Sequence, residues 1–214
     1  MPAAGRPHWF PCVFFTRTTE TEKTVNSAEI KRKLLHLVAL CIPFGIVWLP
    51  RATALAVFVP LAGAMVAGEK LRQKSHFLQN LFFRLFGAFV RPRERHRITG
   101  GTYFFIAGAL CLVLFDQPVA YTAISFMIIG DAAAALVGMQ FGRLRLSSGK
   151  SLEGTLGCIC ACMLFWAVFP RVDFPLALAA AILTGLLELV PFQIDDNLIV
   201  PIICGLALQT WVGW

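Results

Sequence analysis

Apolar runs recur along almost the whole chain, at residues 34–49, 52–68, 102–115, 118–138, 155–169, 174–190 and 198–213, and this repetition limits what the chain can fold into. Runs of that kind predict membrane-spanning helices. Several are shorter than the ~20 residues a straight spanning helix needs, so flanking residues must complete them. With 57% hydrophobic and 14% charged residues and a mean hydropathy of +0.71, the chain lies far from the soluble balance of about 25% charged. The expected fold is all-α: a polytopic integral membrane helix bundle of about seven transmembrane helices plus one in-plane amphipathic helix. Its predicted division is an N-terminal cytoplasmic segment over 1–30 and one membrane-embedded domain over 31–214.

The first 29 residues hold one short apolar patch, Trp9 to Phe15, broken by Pro11. It is too short and too poorly flanked to read as a secretory signal, and Glu20, Glu22 and Glu29 argue against an organelle-targeting segment. Seven cysteines sit mostly inside apolar runs, without the spacing of a disulfide framework or zinc site. Cys158, Cys160 and Cys162 alternate within one run and are expected to be small packing residues.

Lysine and arginine bias sets orientation. With seven spans and an interior N-terminus, 17 of the 19 basic residues fall on the cytoplasmic side, leaving Arg51 and Arg171. The C-terminus is then on the opposite side, and the bacterial plasma membrane is the simplest assignment, with the endoplasmic reticulum next. The net charge of +7 does not imply nucleic acid, because the basic residues lie between apolar runs rather than on a soluble face. The same topology brings Asp131, Glu153, Glu188, Asp195 and Asp196 to the basic boundary.

Asp131 interrupts the run GDAAAALVGMQFG, with no other charged residue between Asp116 and Arg143. A carboxylate at a membrane helix centre costs roughly 2.5 to 3.5 kcal/mol, and the default reading is a functional site; the alternative is an acid paired with a neighbouring helix to hold the bundle. The loop SSGKSLEG follows. It departs from the G-x-x-x-x-G-K-[ST] phosphate loop, since Leu144 stands where the first glycine belongs. Gly149, Lys150, Ser151 and Glu153 nevertheless offer close backbone approach, a point charge, a hydroxyl and a helix-starting acid.

Asp195, Asp196 and Asn197 open the last run, where hard oxygen ligands suit Mg²⁺ bound with substrate phosphates; an acidic turn capping the final helix is the alternative. Lys33 and His36 share a helix face in RKLLH, and an interfacial or structural histidine competes there with a catalytic one. Residues 71–90 repeat Leu71, Leu78, Phe82, Leu85 and Phe89 at helical spacing, as for a helix in the headgroup plane: a lateral doorway for lipid, or a surface helix packed on the bundle. Arg91, Arg93, Arg95 and Arg97 follow it, suited to anchoring at an anionic surface or to phosphate.

RKLLH opening the first run, RHRITGGTYFF opening the third, GDAAAALVGMQFG with KSLEGT, and DDNLIVP opening the last resemble, in order and spacing, the CTP-dependent lipid kinases: dolichol kinase, phytol kinase and the CTP-using diacylglycerol kinase. The likeness spans residues 31–204. It implies transfer of the terminal phosphate of CTP to the hydroxyl of a membrane lipid alcohol, with Asp131, Lys150, Glu153, Asp196 and Asn197 as the active-site core. The short length looks closer to phytol kinase and diacylglycerol kinase-like members. The expected catalytic residues are Asp131, Lys150, Glu153 and His36. Nucleotide would meet Lys150, Ser151, Arg95, Arg97 and Asn197, and Mg²⁺ would meet Asp131, Asp195 and Asp196. Asp131 stands open as base or metal ligand. The rivals are a cytidylyltransferase forming a CDP-lipid, which releases pyrophosphate, and a lipid or ion transporter, in which Asp131 carries protons.

Overall fold

The computed structural model describes residues 15–17, 27–87, 90, 94, 97–146, 149–192 and 194–212. Among them, strand β1 (Phe15–Arg17) is followed by α1 (Ser27–Val38), α2 (Cys41–Trp48), α3 (Arg51–Lys74), α4 (His76–Phe86), α5 (Gly100–Leu114) and α6 (Gln117–Phe141). Strand β2 (Leu144–Leu146), α7 (Leu152–Val168), α8 (Phe174–Leu189) and α9 (Asp196–Val212) complete the order. The architecture is an all-helical bundle whose two short strands pair antiparallel, Phe15 opposite Leu146 and Arg17 opposite Leu144.

α6 is the core. Its buried residues cover every side of the helix from Val119 to Ile128, and it packs against α7 most extensively, then α9, α2, α8, α1 and α5. A helix apolar all round belongs at the centre of such an assembly. Asp116 and Pro118 start it, the proline supplying a preset φ where no N–H bond is lost. α3 runs along the outside against α5, with most of its apolar residues exposed.

Large apolar side chains, among them Trp48, Leu164, Val168, Phe174, Leu186 and Leu206, are also exposed on the outer helices. That much outward apolar surface suits lipid rather than water. α3 and α6 are long and apolar enough to cross a membrane. α5, α7, α8 and α9 are apolar but have 15 to 17 residues, about 22–26 Å at 1.5 Å per residue, short of a ~30 Å hydrocarbon core.

Two sequence expectations change. The run 34–49 is not one helix: α1 stops at Val38 and α2 begins at Cys41. Pro43 explains the break, since its ring would collide with the carbonyl of Ala39 in a continuous helix; that carbonyl instead accepts from Ile42 N–H at 3.0 Å. The amphipathic helix expected over 71–90 is α4 alone. Ser75 is extended and ends α3, then caps α4 by accepting from Leu78 N–H at 3.4 Å. None of the residues of α4 is buried, and Phe77, Leu81 and Leu85 face outward.

A buried polar knot joins α3 to α5. Glu69 accepts from Thr99 N–H and Oγ1 (3.2 and 2.6 Å) and from Thr102 Oγ1 (3.3 Å) through Oε1, while Oε2 accepts from Arg72 Nε and Nη2 (2.9 and 2.6 Å). Arg72 also donates to the Arg97 carbonyl at 2.9 Å and lies 4.8 Å from the Phe82 ring. Buried charges persist when their bonding capacity is met in this way.

Candidate functional site

α1 brings a buried cation to α6. Lys33 and His36, three residues apart, project from one face of α1. Lys33 Nζ donates to Asp131 Oδ1, and His36 Nε2 stands 3.5 Å from Asp131 Oδ2, an electrostatic contact rather than a formed hydrogen bond. The His36 ring meets Phe104 of α5 edge-on, with centroids 5.4 Å apart. The lone acid of the central helix is therefore neutralised from a different helix, which offsets the cost of placing it in an apolar segment.

The small residues after Asp131 have a packing role. A Cβ on Gly154 would lie 2.6 Å from the Ala134 carbonyl oxygen, and one on Gly157 would lie 2.7 Å from Val137 Cγ2. Only glycine lets α6 and α7 approach this closely, and the connection between them is drawn tight. Leu146 N–H donates to the Lys150 carbonyl and Gly149 N–H to the Leu146 carbonyl, both at 2.8 Å, with Gly149 at φ +83°. That is a left-handed conformation that glycine adopts without a Cβ clash. Arg145 fastens the loop from within, donating to the Gly138 carbonyl at 2.8 Å and the Gly149 carbonyl at 3.0 Å.

Glu153 closes the loop from outside, its Oε1 accepting from Leu144 N–H at 3.1 Å. Burial works to raise the Glu153 carboxyl, but the backbone N–H groups of Glu153 itself, Arg143 and Leu144 outweigh it and hold the group below the usual carboxylate range. Ser151 caps α7 by accepting from Gly154 N–H at 3.1 Å. Just before this cap Lys150 turns inward. Its Nζ lies 3.0 Å from Asp196 Oδ2 in the first turn of α9 and 3.6 Å from Glu188 Oε1 in the last turn of α8.

These groups line one cavity of about 210 Å³ at the end of the bundle where α1, α6, α7, α8 and α9 meet. Arg32, Lys33, Arg145 and Lys150 supply positive charge; Asp131, Glu188 and Asp196 supply carboxylates; Ala134, Met139 and Leu189 form an apolar wall. Cations facing carboxylates in a half-enclosed space can hold phosphate oxygens, with or without a divalent ion, beside an apolar wall for a lipid chain.

Of the residues singled out in the sequence, Asp131, Lys150, Ser151 and Asp196 meet at this cavity, and His36 joins through Asp131. Glu153 does not line it and serves the loop instead. Asp195 also stays outside, its Oδ1 accepting from Asn197 N–H at 3.1 Å, while Asn197 Nδ2 donates to the Gly100 carbonyl at 3.4 Å. The second bond ties the start of α9 to the start of α5. Arg97 is exposed and outside the lining; Arg95 lies outside the described residues.

Four charged lining residues, Arg32, Lys33, Arg145 and Glu188, were not among the expected site residues. Glu188 carried the same signal as Asp131, an acid inside an apolar run, and Lys33 was legible through its spacing from His36. Nothing in the sequence marked Arg145 as more than a topology signal. Among the described residues no group of three or more His, Cys, Asp or Glu side chains forms a metal cage, and Cys158, Cys160 and Cys162 are free thiols, two buried and one exposed.

Comparison with known proteins yields relatives at low identity over much of the chain. The phytol kinase of Synechocystis sp. is 29% identical over 202 residues, covering 89% of this chain and 82% of the relative. The CTP-dependent diacylglycerol kinase 1 of Schizosaccharomyces pombe is 24% identical over 159 residues, 66% of this chain and 73% of the relative. An uncharacterized protein of Rickettsia prowazekii is 24% identical over 185 residues, 81% and 90%. No family model and no solved structure matches.

Proposed function

We propose that the chain is a CTP-dependent lipid kinase, like the phytol kinase and diacylglycerol kinase relatives, and that it transfers the terminal phosphate of CTP to the hydroxyl of phytol, another polyprenol or diacylglycerol at the cytoplasmic boundary of a membrane. The observation that carries this reading is the shared cavity. Lys150 stands between Glu188 and Asp196 while Lys33 neutralises Asp131, so basic and acidic groups from five segments face one space. The likeness to kinases that differ in lipid acceptor leaves the acceptor to experiment.

Phosphoryl transfer asks mainly for positioning and for charge aimed at the transferring group. In the proposed mechanism Lys150 exchanges its carboxylate partners for nucleotide phosphate oxygens, and Arg32 adds positive charge from α1. Arg145 and Gly149 keep the Lys150 loop in place. The Lys33–Asp131 pair, steadied by His36, fixes α1 against α6 and shapes the floor. Lipid enters with its hydroxyl toward the carboxylates and its chain along Leu189 and Met139.

Mg²⁺ commonly takes one or two protein carboxylates together with phosphate oxygens and water. Asp196 fits such an ion best, because its Oδ2 lies beside the ammonium that would meet the phosphates. Asp131 is engaged by Lys33, and Asp195 lies outside the lining. When bound, the ion would neutralise phosphate charge.

In the proposed topology each of the seven apolar runs crosses the bilayer, with the N-terminus and the cavity on the cytoplasmic side, residues 31–214 forming one domain and α4 lying in the headgroup plane. The test is incubation of purified protein in detergent with γ-labelled CTP, Mg²⁺, and phytol, farnesol, longer polyprenols or diacylglycerol. Label on a lipid with release of CDP is expected, and chelation of Mg²⁺ should abolish it. Pyrophosphate release with no labelled lipid would instead mark cytidylyl transfer.

A further inference from the structure

We infer that Glu188, the penultimate residue of α8, is the base that takes the proton from the acceptor hydroxyl. This assignment rests on the kinase reading of the cavity and adds a role that none of the sequence motifs carries. Three carboxylates line the cavity, and their surroundings differ. Asp131 receives the Lys33 ammonium on one oxygen and faces His36 with the other. Asp196 lies 3.0 Å from Lys150 and in the first turn of α9, where the positive pole of the helix favours an anion.

Glu188 has neither advantage. It stands in the last turn of α8, at the negative pole of the helix, which disfavours its charge, and its ion pair among the described residues is the longer 3.6 Å contact to Lys150. Its side chain is 13% exposed against 39% for Asp196, so water compensates it less. One ammonium is thus shared by two acids, and the acid farther from it and at the wrong end of its helix is the one left to accept a proton. Adjacent Leu189 belongs to the apolar wall, so a hydroxyl at the end of a lipid chain lying there is next to Glu188.

The charged groups that share the cavity with Glu188 are Arg145 and Lys150 from the connection before α7, Asp196 from α9, Asp131 from α6, and Arg32 and Lys33 from α1. When nucleotide phosphates draw Lys150 away, Glu188 loses that ion pair and is freed to meet the acceptor hydroxyl only in the loaded enzyme. In the step itself the lipid O–H bond breaks and its proton passes to a Glu188 oxygen. The lipid oxygen bonds to the terminal phosphorus, and the bond from that phosphorus to the bridging oxygen of the departing CDP breaks. The proton then leaves Glu188 for water.

The experiment compares full-length protein with Glu188→Gln, Glu188→Asp and Lys150→Ala, measuring kcat and KM for CTP from pH 5 to 9 with phytol and with dioleoylglycerol in mixed micelles. A base contributes about 10²- to 10⁴-fold. Glu188→Gln is expected to lose that much kcat with KM for CTP changed less than threefold, to keep the CTP-induced rise in melting temperature, and to lose the acid limb of the kcat profile. Glu188→Asp should recover at least tenfold over Gln, whereas Lys150→Ala should also raise KM for CTP at least tenfold, a change the Gln variant does not make. A Gln variant that keeps more than a tenth of kcat, keeps the acid limb, or fails through KM alone overturns the base assignment while the kinase reading stands. A wild-type protein that labels neither lipid and releases pyrophosphate overturns both.

Discussion

Replacing Asp131 by Asn separates support of the bundle from function. The substitution removes the carboxylate and leaves the Lys33 ammonium, itself only 4% exposed, without its counter-ion. Breaking a buried ion pair from one side typically costs about 3–5 kcal/mol. At about 2–4 °C per kcal/mol for a chain of this size, the melting temperature in detergent should fall by about 6–20 °C. Lys33→Met should fall comparably, because it leaves Asp131 with His36 alone. The double variant Lys33→Met, Asp131→Asn removes both charges, so its stability should return to within about 2 kcal/mol of wild type, since a buried pair can be replaced nearly neutrally. Phosphate transfer should not return with it, because both charges also line the cavity that receives the phosphates, and it should stay at least 100-fold down in all three proteins. Thermal melts followed by intrinsic fluorescence, set beside transfer of label from CTP to lipid, read both quantities. A double variant that regains both stability and activity would reduce the pair to a bundle clamp; an Asp131→Asn protein with wild-type melting would refute the burial argument itself.

Lys150→Ala should lower labelled-lipid formation by orders of magnitude and raise KM for CTP at least tenfold while membrane insertion stays intact, as judged by extraction and melting. Gly154→Ala places a methyl 2.6 Å from a backbone oxygen of α6. The two helices must move apart, at about 1–3 kcal/mol by the usual cost of overpacking, which a denaturation series would detect. Glu69→Gln strips the charge from the knot that joins α3 to α5 and should destabilise by a similar 3–5 kcal/mol, about what a broken buried pair loses, with a smaller loss when Arg72→Met is added.

The Asp131 site was legible because a lone acid in an apolar run needs a partner and a reason. Lys150 was legible from Gly149 and Ser151 around it, a combination that needs a turn and a helix start. Glu188 carried an equal signal that went unused, since it lay at the end of a run where an acid passes for a boundary marker. Glu153 and Asp195 show the opposite failure. Both sit beside true lining residues in sequence, yet one residue along a helix turns a side chain by about 100°, and both spend their oxygens on backbone N–H groups outside the cavity.

The sequence by itself determined the helical class, the apolar runs that become the helices, and the sign of the charges gathered between them, because these follow from composition and local periodicity. It also carried the turn at Gly149, a property of a single residue, whereas the break before Pro43 went unread inside one apolar run. Pairing was decided only in three dimensions. That Lys33 rather than Lys150 holds Asp131, and that Lys150 bridges Glu188 and Asp196, depends on which helix ends meet. Contacts across 98 and 46 residues of chain are set by how closely glycine lets α6 and α7 pack and by the turn of each helix about its own axis.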